Sequence, residues 1–180
     1  MGRSIEEAIR RAREPENRAY RHSYDMLGEG ALTHAGAEKY FEAYCHAIDA
    51  VAQGYPDSVG PDRGSISVKL SALHPRYERA QRERVHRELT PRVLELAERA
   101  AQRGVALTLD AEESERLELS LEIISTVMRA PQLHGWEGFG LAVQAYQKRA
   151  PAVIEWLDAL AHDTGRRFMV RLVKGAYWDS

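Results

Sequence analysis

The stretch FMVRLVKGAYW, Phe168 to Trp178, decides how the rest of the chain is read. Its first half alternates as a strand does. Phe168, Val170 and Leu172 point one way, and Met169, Arg171 and Val173 the other. A basic residue, Arg171, therefore sits among apolar neighbours toward a strand's end. Lys174, Gly175 and Ala176 follow where the chain must leave the strand, with room to pass close to a ligand. Tyr177 and Trp178 offer rings that pack, or that stack on a flat ligand. The sequence stops two residues later without a turn or capping signal, which implies a larger fold cut through at this point.

Moving outward, four more strands are expected, separated by helices. His22 to Leu27 is a short mixed strand, Ser65 to Leu73 (SISVKLSAL) alternates cleanly, Val105 to Asp110 reads VALTLD, and Phe139 to Ala145 reads FGLAVQA. Thr33 caps a helix running to about Gln53, with Tyr40, Tyr44, Ala47, Ile48 and Val51 on one face. Arg79 to Arg103 is helical, with Pro91 either kinking it or starting its second half, and Gly104 closing it. Ser114 to Met128 carries a stripe of Leu117, Leu121, Ile124 and Met128, and Pro151 to His162 forms the last helix. Residues 1–20 read as a polar helical arm or linker, and residues 21–180 as one α/β unit. The β-α-β-α-β-α-β-α-β order predicts a parallel sheet built from right-handed crossovers. Two architectures fit: an open doubly wound sheet, and part of a (β/α)8 barrel, which when complete needs about 200–250 residues.

Bulk properties narrow the function classes. The chain is 44% hydrophobic and 29% charged, the balance of a globular protein. A formal net charge of −2 with interleaved signs gives no reason to expect nucleic acid. The single cysteine, Cys45, allows no internal disulfide and fits a reducing compartment. The N-terminus has no apolar core of a secretory signal, and no run approaches the roughly 18 apolar residues of a membrane span. The seven histidines show no HxH or HExxH spacing, so no metal site is expected. The glycines of Gly135–Gly140 precede a strand, unlike those of a dinucleotide fingerprint.

Strand parity yields the constellation. Ile66, Val68 and Leu70 oppose Ser65, Ser67, Lys69 and Ser71. Leu107 and Leu109 oppose Thr108 and Asp110, and Phe139, Leu141 and Val143 oppose Gly140, Ala142 and Gln144. Four successive strands thus carry one apolar face suited to a helix layer and one smaller, more polar face. The polar faces end in Lys69, Asp110, Gln144 and Arg171, near the C-terminal strand ends where parallel α/β folds build their sites. Any one of these alone reads as a solvated strand end. Four in matching register point to a site, because stability alone would favour Val or Leu there. Lys69 and Asp110, on consecutive strands, are expected to pair.

Five segments carry a family resemblance: DMLGE (Asp25 to Glu29), SVKLSALHPRY (Ser67 to Tyr77), LDAEE (Leu109 to Glu113), VQAYQKR (Val143 to Arg149) and RLVKGAYWD (Arg171 to Asp179). Together they resemble the proline dehydrogenase domain of the bacterial bifunctional flavoenzymes of the proline utilization A family. The resemblance implies an FAD-holding (β/α)8 barrel, incomplete here after its fifth strand, that oxidises L-proline to Δ1-pyrroline-5-carboxylate and passes electrons to a membrane quinone. By motif match Lys69 meets the substrate carboxylate. Arg171 lies by the flavin's reactive edge, and a fixed cation there favours reduced flavin. Gln144 hydrogen-bonds the flavin ring. Ala111 and the backbone of Val173, Lys174, Gly175 and Ala176 line the cofactor, with Trp178 packed near it. Asp110 matches a site acid that positions Lys69, and Glu29 a loop carboxylate that gates the site. The resemblance further implies an aldehyde dehydrogenase domain elsewhere in the parent chain. It also implies a cytoplasmic location, with peripheral contact at the inner membrane face, and little or no activity for this segment alone. Two readings compete: a Schiff-base aldolase or lyase with Lys69 as nucleophile, and a non-catalytic folding or oligomerisation module.

Overall fold

The alternation of strand and helix is present throughout the computed structural model, which describes residues 2–17, 19–28, 30–56, 58 and 63–175. In chain order the elements are α1 (Ile5–Ala12), β1 (Ser23–Asp25), α2 (His34–Gly54), β2 (Ser65–Val68), α3 (Leu70–Leu73) and α4 (Arg82–Arg103). There follow β3 (Ala106–Leu109), α5 (Leu117–Met128), β4 (Phe139–Gln144), α6 (Ala150–Thr164) and β5 (Met169–Val173). The ends follow from local chemistry. Thr33 Oγ1 accepts the Gly36 N–H at 3.0 Å and starts α2. Gly104 and Gly165, at φ 65° and 62°, close α4 and α6 in the left-handed conformation that a Cβ disfavours. The α4 helix runs through Pro91, so the proline does not divide it, although the Thr90 hydroxyl before it is buried without a partner among the described residues.

All five strands are parallel, and their order in the sheet is their order in the chain. A doubly wound sheet reverses its strand order at a switch point. Here there is no reversal, so every crossover steps the same way, as in a barrel wall. Register aligns the apolar faces: Ile66, Leu107 and Phe139 form one row, and Val68, Leu109, Leu141 and Val170 the next. The β2, β3 and β4 members of these rows join buried residues of α2, α4, α5 and α6 in one core. The arm is docked too: Ile9 of α1 is buried in that core, and Glu6 bonds His46 of α2 at 2.7 Å.

Three sequence expectations need correction. The strand expected over Ser65 to Leu73 stops at Val68. The Lys69 N–H turns to the Tyr44 hydroxyl at 3.1 Å instead of the ladder, and Leu70 to Leu73 then form a helical turn that buries Leu70, Ala72 and Leu73. In α5 the buried side is broader than one stripe, because Leu119, Ile123 and Val127 are buried along with Ile124 and Met128. On β5 the apolar face lacks its helix layer among the described residues, leaving Val170 42% and Leu172 66% exposed.

Candidate active site

The opposite face of the sheet collects the charged residues. Asp25 is the last residue of β1, Lys69 stands between β2 and α3, Asp110 follows β3, and Arg171 lies in the middle of β5. Lys69 Nζ donates to Asp110 Oδ2 and to Asp25 Oδ1, both at 2.9 Å. Ser67 Oγ donates to Asp110 Oδ1 at 2.6 Å and accepts from an Arg171 terminal nitrogen at 2.8 Å. The same Arg171 nitrogen also donates to Asp110 Oδ1. Asp110 thus receives donors on both oxygens while its side chain is only 14% exposed, which is how a part-buried carboxylate is satisfied. Among the described residues, Lys69, Arg171, Asp25 and Asp110 form one linked cluster, with the Ser67 hydroxyl between Arg171 and Asp110.

Small residues on β4 make this possible. Arg171 pairs in register with Ala142, and its side chain must pass over β4 to reach β3 and β2. The residues there are Gly140 and Ala142, which leave the space a longer side chain would fill. At Gly140 an added Cβ would lie 2.1 Å from the Met169 carbonyl oxygen, so the β4–β5 approach itself requires glycine. Arg171 Nε is buried with no hydrogen-bond partner among the described residues.

The structure brings Lys69, Asp110 and Arg171 together as expected, but Gln144 does not join them. Gln144 Nε2 donates to the Glu112 carbonyl at 2.8 Å, tying β4 to the segment after β3. Glu112 in turn accepts from the Ser71 N–H at 3.1 Å and from Arg116 at 3.0 Å. Ala111 lines a cavity beside Asp110 and Gln144. The carbonyls of Val173 and Lys174 accept from the N–H groups of Ala145 and Tyr146, at 2.8 and 3.1 Å, so this backbone extends the pairing with the β4 end. Gly175, at φ 132°, has no room for a side chain against the Tyr146 ring. Glu29, Ala176, Tyr177 and Trp178 lie outside the described residues. Sequence reasoning did not select Ser67 or Asp25. Their signal was available only as position: Ser67 shares the Lys69 face, and Asp25 ends the first strand.

A family profile described as proline dehydrogenase matches residues 8–180. This chain belongs to the proline dehydrogenase family. Among curated members, the bifunctional protein PutA of Escherichia coli (strain K12) is 50% identical over 182 residues, 99% of this chain and 14% of that protein. PutA of Rhizobium meliloti is 49% identical over 175 residues, 97% of this chain and 14% of that protein. The chain therefore spans about one seventh of these relatives. A crystal structure of a Bradyrhizobium japonicum proline utilization A mutant superposes with a TM-score of 0.87 at 54% identity, covering 98% of this chain and 18% of that one. Proline utilization A from Bdellovibrio bacteriovorus, inactivated by N-propargylglycine, gives 0.90 at 25% identity over 97% of this chain and 19% of that one. The sheet is accordingly part of a (β/α)8 barrel of the proline dehydrogenase type; Asp25, Lys69 and Asp110 stand at its C-terminal strand ends, whereas Arg171, expected toward a strand end, lies mid-strand and reaches the cluster through the length of its side chain.

Proposed function

We propose that this segment supplies the first half of the active site of an FAD-dependent proline dehydrogenase, with residues 21–180 as the N-terminal part of its barrel. The observation that carries the reading is the Lys69–Asp110–Ser67–Arg171 cluster, in a chain that the family profile spans almost entirely. The residues fit a flavin. Arg171 has a buried N–H without a partner among the described residues, and Gly140 and Ala142 keep the neighbouring strand face low enough for a flat ring. FAD, when bound, supplies the hydride acceptor, and a membrane quinone is the onward one. Lys69 binds the carboxylate of L-proline, and Asp110 holds the Lys69 ammonium in place. Arg171 directs its positive charge at the electron-accepting edge of the ring. Gln144, Ala111 and the Val173–Ala176 backbone line the cofactor, Trp178 packs near it, and Glu29 gates the entrance. The product is Δ1-pyrroline-5-carboxylate. The family further supports a parent protein with an aldehyde dehydrogenase domain, acting in the cytoplasm with peripheral contact at the inner membrane face. No helix among the described residues is long and apolar enough to cross a membrane.

One contact disfavours the Schiff-base alternative. A lysine nucleophile must be uncharged to attack a carbonyl, whereas Lys69 is flanked by two carboxylates, the surroundings of an ammonium. The test is the visible spectrum of the protein extended over the whole barrel. Flavin bands that bleach on anaerobic addition of L-proline are the expected result. A folded barrel that neither carries flavin nor takes it up would overturn the proposal, and borohydride trapping at Lys69 would then be the next experiment.

A further inference from the structure

Among the described residues, Lys69 Nζ holds two carboxylates at the same distance, 2.9 Å, but the two are held very differently. Asp110 is 14% exposed and also receives Ser67 and Arg171. Asp25 is 41% exposed, ends the short edge strand β1, and has Lys69 as its ion-pair partner among the described residues. Water can replace the lysine around an exposed carboxylate at little cost, whereas a mostly buried carboxylate deprived of a cation is strongly destabilised. The exposures therefore decide which of these two bonds yields when a further carboxylate arrives.

We propose that Asp25 is a placeholder: it occupies the position on Lys69 that the substrate carboxylate takes, and it is displaced into solvent on binding. Among the described residues, Lys69 and Arg171 balance Asp25 and Asp110 before substrate arrives. An incoming carboxylate would meet a lysine already neutralised twice, so one partner must leave, and Asp25 is the one that leaves cheaply. Asp25 thereby raises the dissociation constant for substrate without touching the reacting atoms. It keeps Lys69 extended toward the site and tunes affinity toward the working substrate concentration. The inference rests on the assignment of Lys69 to the substrate carboxylate.

The test uses the full-length, flavin-loaded protein and cyclopentanecarboxylate, which has proline's ring size and carboxylate but no ring nitrogen to be oxidised. Asp25→Asn keeps the shape and removes the competing charge. An exposed ion pair corresponds to at most about fivefold in an equilibrium constant. Cyclopentanecarboxylate should therefore bind about two- to fivefold tighter to Asp25→Asn, and the KM for L-proline should fall by a similar factor and move more than kcat. Asp25→Ala should tighten binding in the same direction, which guards against a folding artefact in either variant, and Asp25→Glu should return it toward wild type. A merely structural aspartate would not improve ligand binding when replaced. Unchanged or weaker binding in both Asn and Ala variants overturns the proposal. Bleaching of the wild-type flavin by L-proline reports separately on the dehydrogenase reading. Its failure would sink that reading, while the Asn-against-Asp comparison with cyclopentanecarboxylate would still decide the role of Asp25.

Discussion

Ser67 Oγ lies between Arg171 and Asp110, accepting from one at 2.8 Å and donating to the other at 2.6 Å. A serine hydroxyl is the smallest group that can do both at once. It lets a cation from β5 and an anion from the end of β3, two strands apart in the sheet, share a neutral hinge. Ser67 is 1% exposed, so water does not readily replace it. Ser67→Ala should cost about 1–3 kcal/mol of stability, the usual consequence of removing one partner from buried polar groups. Ser67→Thr should recover part of that loss. Chemical denaturation of the three proteins checks both statements.

The low profile of β4 gives a second prediction. Ala142→Leu places a branched side chain in the path of Arg171, whose register partner is Ala142. Overpacking of this kind costs about 1–3 kcal/mol. The Arg171 guanidinium should also lose its bond to Asp110. A double-mutant cycle with Arg171→Met distinguishes the two contributions. If the arginine has been displaced, the second substitution should add little to the first.

Acid should weaken a network on the helix side. His74 is buried, and its Nδ1 accepts the Arg76 N–H at 3.1 Å, so its Nε2 carries the proton that faces Glu88, also at 3.1 Å. That hydrogen bond, with Arg84 adding to it, pulls the Glu88 carboxyl from the ordinary 4.5 down to about 2. Because the folded value is depressed, the stabilising contribution is complete above about 4.5 and is lost as pH falls through about 2. Glu88→Gln should melt with a flatter dependence on pH across that window, and scans of Tm against pH compare the two directly.

The uncovered face of β5 should make the 180-residue chain associate as concentration rises, since Leu172 is 66% exposed beside Val170 on an edge strand. Leu172→Lys should move the onset of association to higher concentration, as read by light scattering. A lysine in place of the buried Leu157 should instead lower the melting temperature.

Much of this was legible in the sequence, for physical reasons that also explain what was not. Period-2 alternation in Phe139–Gln144 and Met169–Val173 placed Arg171 and the small residues of β4 on one face, because strand geometry fixes parity without tertiary information. The pairing of Lys69 with Asp110 followed from adjacent strands. The helical turn at Leu70–Leu73 was hidden because Leu70 and Ala72 continue the alternation of SISV, and only the Tyr44 hydroxyl, 25 residues away, takes the Lys69 N–H out of the ladder. The bond from Gln144 to the Glu112 carbonyl was not legible, because parity says which face a residue is on and not which neighbour claims its amide. Ser67 and Asp25 escaped selection because a serine in a strand and an aspartate on a three-residue strand have no local signature. Their roles depend on partners 43 and 44 residues distant.

The strand order has a consequence for how the protein is made. Each strand as it is synthesised finds its neighbour already in place, so the wall can grow by one crossover at a time and its pairings stay local. The charged centre cannot grow that way. Arg171 is 104 residues beyond Ser67, and until β5 docks, Asp110 has Lys69 as its only cation among the described residues. A nascent chain that has completed four strands therefore carries half of the barrel wall around an under-neutralised acid. The arrival of the fifth strand both extends the sheet and relieves that charge, which couples completion of the charged cluster to one particular step of assembly.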